Sequence, residues 1–195
     1  MAEPPTLADR AAADLTFIRR TMADAATFTD VPGWGLVGMG VIGLGTAPIA
    51  ALQPTPDRWL GAWLAAAAVA LGLGSAATLR KIRRRLGTVA VPAPARSFFL
   101  ALAPALVAAA VMTVALVRSA NDAILPGSWL LLYGAGVTTA GARSVRAVPL
   151  MGAAFLLLGT LALLIPSLPG DAMMATGFGG VHVVAGLAIA RRHDG

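Results

Sequence analysis

Apolar residues along this chain gather into six long stretches, at 33–52, 59–79, 97–117, 127–142, 147–166 and 172–190, each free of Asp, Glu, Lys and Arg away from its margins. An α-helix rises about 1.5 Å per residue and a bilayer's hydrocarbon core is about 30 Å thick, so about 20 apolar residues suffice to cross it. The pattern predicts six transmembrane helices. The fourth stretch is the shortest and ends at Arg143, whose aliphatic stem can snorkel toward the interface. Ahead of the first stretch the periodicity changes. Leu7, Ala11, Leu15, Ile18, Met22 and Ala25 recur every three or four residues, with Arg10, Arg20 and Asp24 turned away, which predicts an amphipathic helix. Thr6 is placed to cap it, and Asp9 favours its N-terminal end. Val31-Pro32-Gly33-Trp34 then breaks the helix and turns the chain into the membrane.

The expected fold is therefore all-α, a polytopic helical bundle. Residues 1–32 form an amphipathic helix and turn on the cytoplasmic side, 33–190 the six-helix transmembrane domain, and 191–195 a short cytoplasmic tail. Connections at 53–58, 118–126 and 167–171 are rich in Pro and polar residues, so the six helices read as three hairpins. Leu125-Pro126-Gly127 and Leu168-Pro169-Gly170 repeat a tripeptide at the same place in two of them, which turn chemistry with the positive-inside bias, or an ancestral duplication, would explain.

Charge sets the orientation. Arg10, Arg19, Arg20, Arg80, Lys81, Arg83, Arg84, Arg85, Arg96, Arg143, Arg146, Arg191 and Arg192 share one side, 13 of the 15 basic residues, and only Arg58 and Arg118 fall on the other. The positive-inside rule then places both chain ends in the cytoplasm. The first apolar run follows an acid-containing polar segment and lacks a cleavage signature, so the first helix is expected to stay in the mature protein.

Composition agrees with this picture and narrows the chemistry. Hydrophobic residues make up 57% of the chain and charged ones 12%, too little polar surface to cover a soluble domain of this size. Cysteine is absent, which excludes disulfides, thiolate metal sites and a cysteine nucleophile. No carboxylate lies inside a span, no HExxH occurs and no carboxylate pair offers acid–base work, so no catalytic residue, metal site or cofactor is assigned. Two overlapping GxGxxG matches, Gly33/Gly35/Gly38 and Gly38/Gly40/Gly43, lie in an apolar span with no preceding strand. There glycine serves close helix packing rather than phosphate binding, and Gly61, Ala65, Ala68, Gly72 and Ala76 give the second span a similar stripe.

Two places carry candidate interactions. Arg80, Lys81, Arg83, Arg84 and Arg85 form the densest charge run, directly after a span, and suit anionic lipid at about 1 kcal/mol per basic residue. No base-stacking aromatics accompany them, so no nucleic acid is expected as a partner. His182 sits near mid-depth of the sixth span, where an imidazole needs a hydrogen-bond partner. It can contact a ligand together with Tyr133, relay a proton or ligate haem, although His193 in the tail is the only other histidine. Equally, it can bond to Tyr133, Thr138, Thr139 or Ser144 of a neighbouring helix. The threonines at 113, 138, 139, 160 and 176 can each satisfy themselves on their own helix backbone.

Four segments carry a resemblance. They are Asp14-Leu15-Thr16-Phe17-Ile18-Arg19-Arg20-Thr21-Met22, Phe28-Thr29-Asp30-Val31-Pro32-Gly33-Trp34-Gly35, Ser144-Val145-Arg146-Ala147-Val148-Pro149-Leu150-Met151-Gly152 and Gly177-Phe178-Gly179-Gly180-Val181-His182. Through them the chain resembles a family of uncharacterised bacterial six-span integral membrane proteins. The resemblance implies a multi-pass protein of the bacterial inner membrane and carries over no activity and no catalytic residue.

Short outer loops, the lack of a sizeable soluble domain and the amphipathic N-terminal helix favour a non-enzymatic sensor, regulator or accessory subunit. Its partners would be the lipid bilayer, further copies of itself, or a membrane or cytoplasmic protein. A carrier or channel for a neutral or lipid-like molecule, with Tyr133 and His182 lining the path, is the alternative. A haem or other ligand-binding protein centred on His182 is the third reading.

Overall fold

The computed structural model describes residues 7–24, 28, 29, 31–87 and 90–193. Among them the chain is all-α. Helix α1 spans Leu7–Asp24, α2 Gly33–Ala51, α3 Pro56–Leu86 and α4 Ala93–Arg118. A single 3₁₀ turn, Asp122–Ile124, leads into α5 at Leu125–Gly141, and α6 covers Ala147–Leu164. Helix α7 is continuous but composite: Gly170–Met174, a π-helical segment Ala175–Val181, then His182–His193. Six of these helices, α2 to α7, are long and apolar enough to cross a membrane, so the chain is a multi-pass helical membrane protein.

Two boundaries move from their expected places. Helix α3 runs well past residue 79, straight through the basic run, for 31 residues and about 46 Å. Thr55 caps its start by accepting from the Arg58 amide, Pro56 occupies the first turn, and the arginines are good helix formers. It stops only at Gly87, whose φ of 65° is the left-handed conformation glycine adopts without a Cβ clash. The charge run is thus the last turns of a rigid helix rather than a loop, and Ile82 within it is fully buried. Helix α4 likewise begins four residues early, at Ala93, because Pro92 and Pro94 suit a helix start.

The tightest packing is built on glycine at intervals of seven. Gly127 and Gly134 on α5 face Gly159 and Gly152 on the antiparallel α6. A Cβ on Gly134 would lie 2.6 Å from the Leu156 nitrogen and 2.9 Å from the Gly152 oxygen, and one on Gly159 would lie 3.0 Å from the Gly127 oxygen. The same arrangement joins α2 to α7. Gly33 and Gly40 approach the backbone of Gly186 and Gly179, again seven apart, and a Cβ on Gly43 would lie 2.6 Å from the Phe178 carbonyl. Sevenfold spacing keeps these residues on one seam of a left-handed helix pair. In a membrane, where apolar side chains gain nothing from leaving lipid, close backbone approach and dispersion hold helices together. The glycines of the two GxGxxG matches therefore serve helix contact. The small residues of α3 do so only in part: Gly61 and Gly72 face open space, whereas Ala77 meets Gly35 and Gly74 meets Met39 on α2.

Around these seams the helices form an arc. Helix α3 packs on α2, α2 on α7, α7 on α5 and α6, and α4 on α5. Its two ends, α3 and α4, scarcely touch each other, and almost none of their apolar length is buried. Polar clasps hold α3 at both ends. Lys81 Nζ donates to the Val31 carbonyl (3.1 Å) and Arg85 to Thr29 Oγ1 (3.1 Å) at the arginine-rich end, while Trp59 and Trp63 bond Asp171 at the other. Phe28 stitches the entry segment to the α5–α6 turn: its amide donates to the Arg143 carbonyl (2.8 Å) and its carbonyl accepts from Ser144 Oγ (2.8 Å). The two Leu-Pro-Gly tripeptides meet in space, Gly170 resting on Pro126.

Helix α1 exists as expected but stands apart, its main contact with the bundle among the described helices being with α4. Leu15, Ile18 and Met22 of its apolar stripe are each more than half exposed. The side chains of Leu7, Ala11 and Asp9, and residues Thr6 and Ala25 altogether, lie outside the described residues.

The seams make a test. Gly134→Leu or Gly152→Leu should lower stability by about 2–3 kcal/mol or more through overpacking, read as earlier unfolding in mild detergent. Gly72→Ala, with open space at its Cβ position, should leave the midpoint unchanged or slightly raised. Equal effects at all three positions would refute the seams.

Candidate functional site

His182 begins the last segment of α7, immediately after the π-helical turn. Gly177, Gly179 and Gly180 lie within that turn, and π segments of this kind recur at functional positions. The turn carries the imidazole to the centre of the bundle, where only 1% of its surface stays exposed. Its Nε2 lies 3.0 Å from Tyr133 Oη on α5. Of the four partners the sequence offers, the fold selects Tyr133. Thr138 and Thr139 bond the Gly134 and Ala135 carbonyls of their own helix, and Ser144 bonds Phe28. Thr113, Thr160 and Thr176 likewise bond the carbonyl four residues back. The pair is set among aromatic rings: Phe155 packs edge-on to Tyr133 (centroids 4.8 Å apart) and to His182 (5.3 Å), and Phe178 covers both.

The other ring nitrogen, Nδ1, is buried and makes no hydrogen bond. A buried polar atom in this condition is uncommon and calls for an explanation.

Tyr133 and His182 line a cavity of about 370 Å³ inside the arc, within the size range of small-molecule sites. Its walls are almost wholly apolar: Leu36 and Met39 from α2, the alanines of α3, Leu102 and Leu106 from α4, Val137 from α5. No Asp, Glu, Lys or Arg lines it. It is partly open, and α3 and α4, two lipid-exposed helices that scarcely meet, both line it.

The end of the cavity away from the arginines is closed by tryptophans. Trp63 and Trp129 line it. Trp59 stacks on Trp129 (5.9 Å, 12° between planes), and both Trp59 and Trp63 donate their indole N–H to one oxygen of Asp171, at 2.8 and 3.0 Å. Trp129 donates to Thr113 on α4 (2.8 Å). These contacts link α3, α4, α5 and α7. The sequence shows the tryptophans as interfacial residues near span ends, but nothing in its spacing pairs Trp59 and Trp63, four apart on one helix face, with an acid over a hundred residues away.

The five basic candidates do not join this site. Arg80, Arg83 and Arg84 are exposed on the projecting end of α3, while Lys81 and Arg85 are bonded to the entry segment. The His193 side chain lies outside the described residues, and among those described no three His, Cys, Asp or Glu come together.

Fold and site together define a class: a six-span helical membrane protein with a partly open, neutral, apolar cavity lined by one buried polar pair. No family model, curated protein or solved structure matches the chain.

Asp171→Ala should leave both indoles without their acceptor, costing about 1–3 kcal/mol at the α3–α7 contact. Hydrogen exchange over the first half of α3 and over Gly170–Met174 should then accelerate, whereas Asp57→Ala, which touches neither indole, should leave exchange over Gly170–Met174 unchanged. Unchanged exchange in Asp171→Ala would show that the clasp holds nothing.

Proposed function

We propose that this protein binds, and carries within the membrane, a neutral apolar molecule that enters sideways from the lipid between α3 and α4. One observation carries this reading: a cavity of about 370 Å³, free of charged residues, reaches from the gap between those helices to the buried Tyr133–His182 pair. Ligand sites are mostly apolar with a few placed polar groups, and this one has that composition. A charged head group would find no counter-charge there, and an ion at mid-depth is costly.

The arginine distribution, with 13 of 15 basic residues at one end, supports cytoplasmic chain termini. Together with the family resemblance it supports residence in a bacterial inner membrane. The exposed Arg80, Arg83 and Arg84 then meet the anionic inner leaflet.

A second reading, as a regulatory or accessory subunit, is supported by α1. A helix with Leu15, Ile18 and Met22 exposed on one stripe has an apolar face free for the membrane surface or another helix.

Two experiments separate these. Ala67→Trp and Ala109→Trp, which fill the cavity from α3 and α4, should reduce an apolar molecule co-purifying with the protein at least tenfold by mass spectrometry. Val107→Trp, on a lipid-facing position of α4, should leave it in place. Retention of that molecule in both filled variants would refute the carrier reading. Deleting residues 1–24 should release a co-purifying polypeptide if α1 docks one, and its retention would remove α1 from that role.

A further inference from the structure

The pair that gives the cavity its polarity leaves the sense of that polarity open. Tyr133 and His182 both line the cavity, and the 3.0 Å contact between Oη and Nε2 joins two groups that can each donate or accept. Among the described residues Tyr133 makes no other hydrogen bond. In a neutral imidazole only one nitrogen carries hydrogen, and the bond made by one nitrogen ordinarily fixes the role of the other. Here that control is missing. Nδ1 is buried and makes no hydrogen bond, so no partner there commits the ring to either tautomer.

Two arrangements therefore satisfy the contact, and they offer a ligand opposite things. With the proton on Nε2, the imidazole donates to Oη and the tyrosine O–H is free to donate to a ligand. With the proton on Nδ1, the tyrosine donates to Nε2 and its oxygen is left to accept. A carbonyl compound is met by the first arrangement and a hydroxyl donor by the second, each at the same atom, Tyr133 Oη. Most other polar groups of the cavity are already engaged. Thr78 and Thr113 donate to their own backbones, Trp63 donates to Asp171 and Trp129 to Thr113. Ser75, on α3, is the other lining hydroxyl and makes no hydrogen bond among the described residues.

We propose that the cavity binds both members of a neutral carbonyl–hydroxyl couple, an apolar carbonyl compound and the phenol or alcohol of similar shape, with the Tyr133–His182 pair changing tautomer to suit each. This rests on the carrier reading above and adds the chemistry of the ligand's polar end. A quinone and its quinol, both able to dissolve in lipid, are one such couple. Each ligand selects the tautomer it needs, so neither has to leave its polar atom, or Tyr133 Oη, without a partner. The change is neutral to neutral. One proton leaves Nε2 and one is added at Nδ1, carried by water admitted while the cavity is open between ligands, so no charge is left at mid-depth, where it is costly. Ammonium and carboxylate relatives are refused, because no Asp, Glu, Lys or Arg lines the cavity to balance them.

The test uses the full chain in nanodiscs of neutral lipid and three probes of matched size: 4-hexylcyclohexanone, 4-hexylphenol and hexylbenzene. With each at the same membrane concentration, native mass spectrometry should find the ketone and the phenol within about threefold of each other, and each bound about tenfold or more over hexylbenzene. The ¹⁵N spectrum of His182, distinguished from His193 by a His193→Ala variant, should show Nε2 protonated with the ketone bound and Nδ1 protonated with the phenol bound. Both measurements keep Tyr133 and His182 intact, so a folding defect cannot produce their result. Ser75→Ala should leave both preferences over hexylbenzene in place, and their loss there would move the contact to α3 and overturn this inference. Equal binding of hexylbenzene, a larger than threefold preference for one polar probe, or the same protonated nitrogen with both would each overturn it as well, while leaving the carrier reading in place. Binding of none of the three would overturn both.

Discussion

Backbone must meet backbone for this bundle to hold. In water, helices associate because burying apolar side chains is favourable; in lipid that gain is missing, and contact density takes its place. The chain meets the requirement with glycines seven residues apart on α2, α5, α6 and α7, so that two antiparallel pairs approach backbone to backbone at several points along their length. Everything else hangs from those pairs. Where the seams bind, the helices are fixed; where they are absent, at α3 and α4, the structure opens.

The cavity is thus a by-product of which helices carry the glycine seams. Helix α3 has as many small residues as α2, but Gly61 and Gly72 turn outward, so it leans on α2 without being drawn in and is held instead by hydrogen bonds near its ends. Helix α4 rests chiefly on α5, with Gly136 meeting Leu102 and Ala105. Between them lies apolar space, closed at one end by stacked indoles and floored by a single polar pair. The imidazole reaches that floor because the π turn reorients α7 just ahead of it.

Much of this was legible in the chain. The six spans follow from apolar length alone, because bilayer thickness is a fixed ruler, and His182 stands out because an imidazole at mid-depth cannot go unbonded. The Tyr133 partner was among four candidates that only the crossing of α5 and α7 could separate. Other features were present as letters but not as signals. The interval of seven between Gly127, Gly134 and Gly141, or Gly152 and Gly159, is visible in the sequence, yet spacing does not say which helices meet. The end of α3 lies beyond the apolar stretch because a hydropathy boundary marks where the membrane stops, and a helix of arginines need not stop with it. Asp171, at a span margin, gave no hint of the two indoles that converge on it, since that pairing depends on how the arc closes. The π segment left no trace beyond a cluster of glycines.

The length of α3 has one more mechanical meaning. A straight helix of about 46 Å exceeds a hydrocarbon core of about 30 Å by some three turns, and its surplus projects at the arginine-rich end. The same helix forms one side of the opening between α3 and α4, and the indole clasp near its far end is a natural pivot. It is built as a lever. A pull on the arginines, from lipid head groups or from a bound protein, becomes a tilt of the cavity wall, with the shorter arm projecting beyond the membrane and the longer one within it.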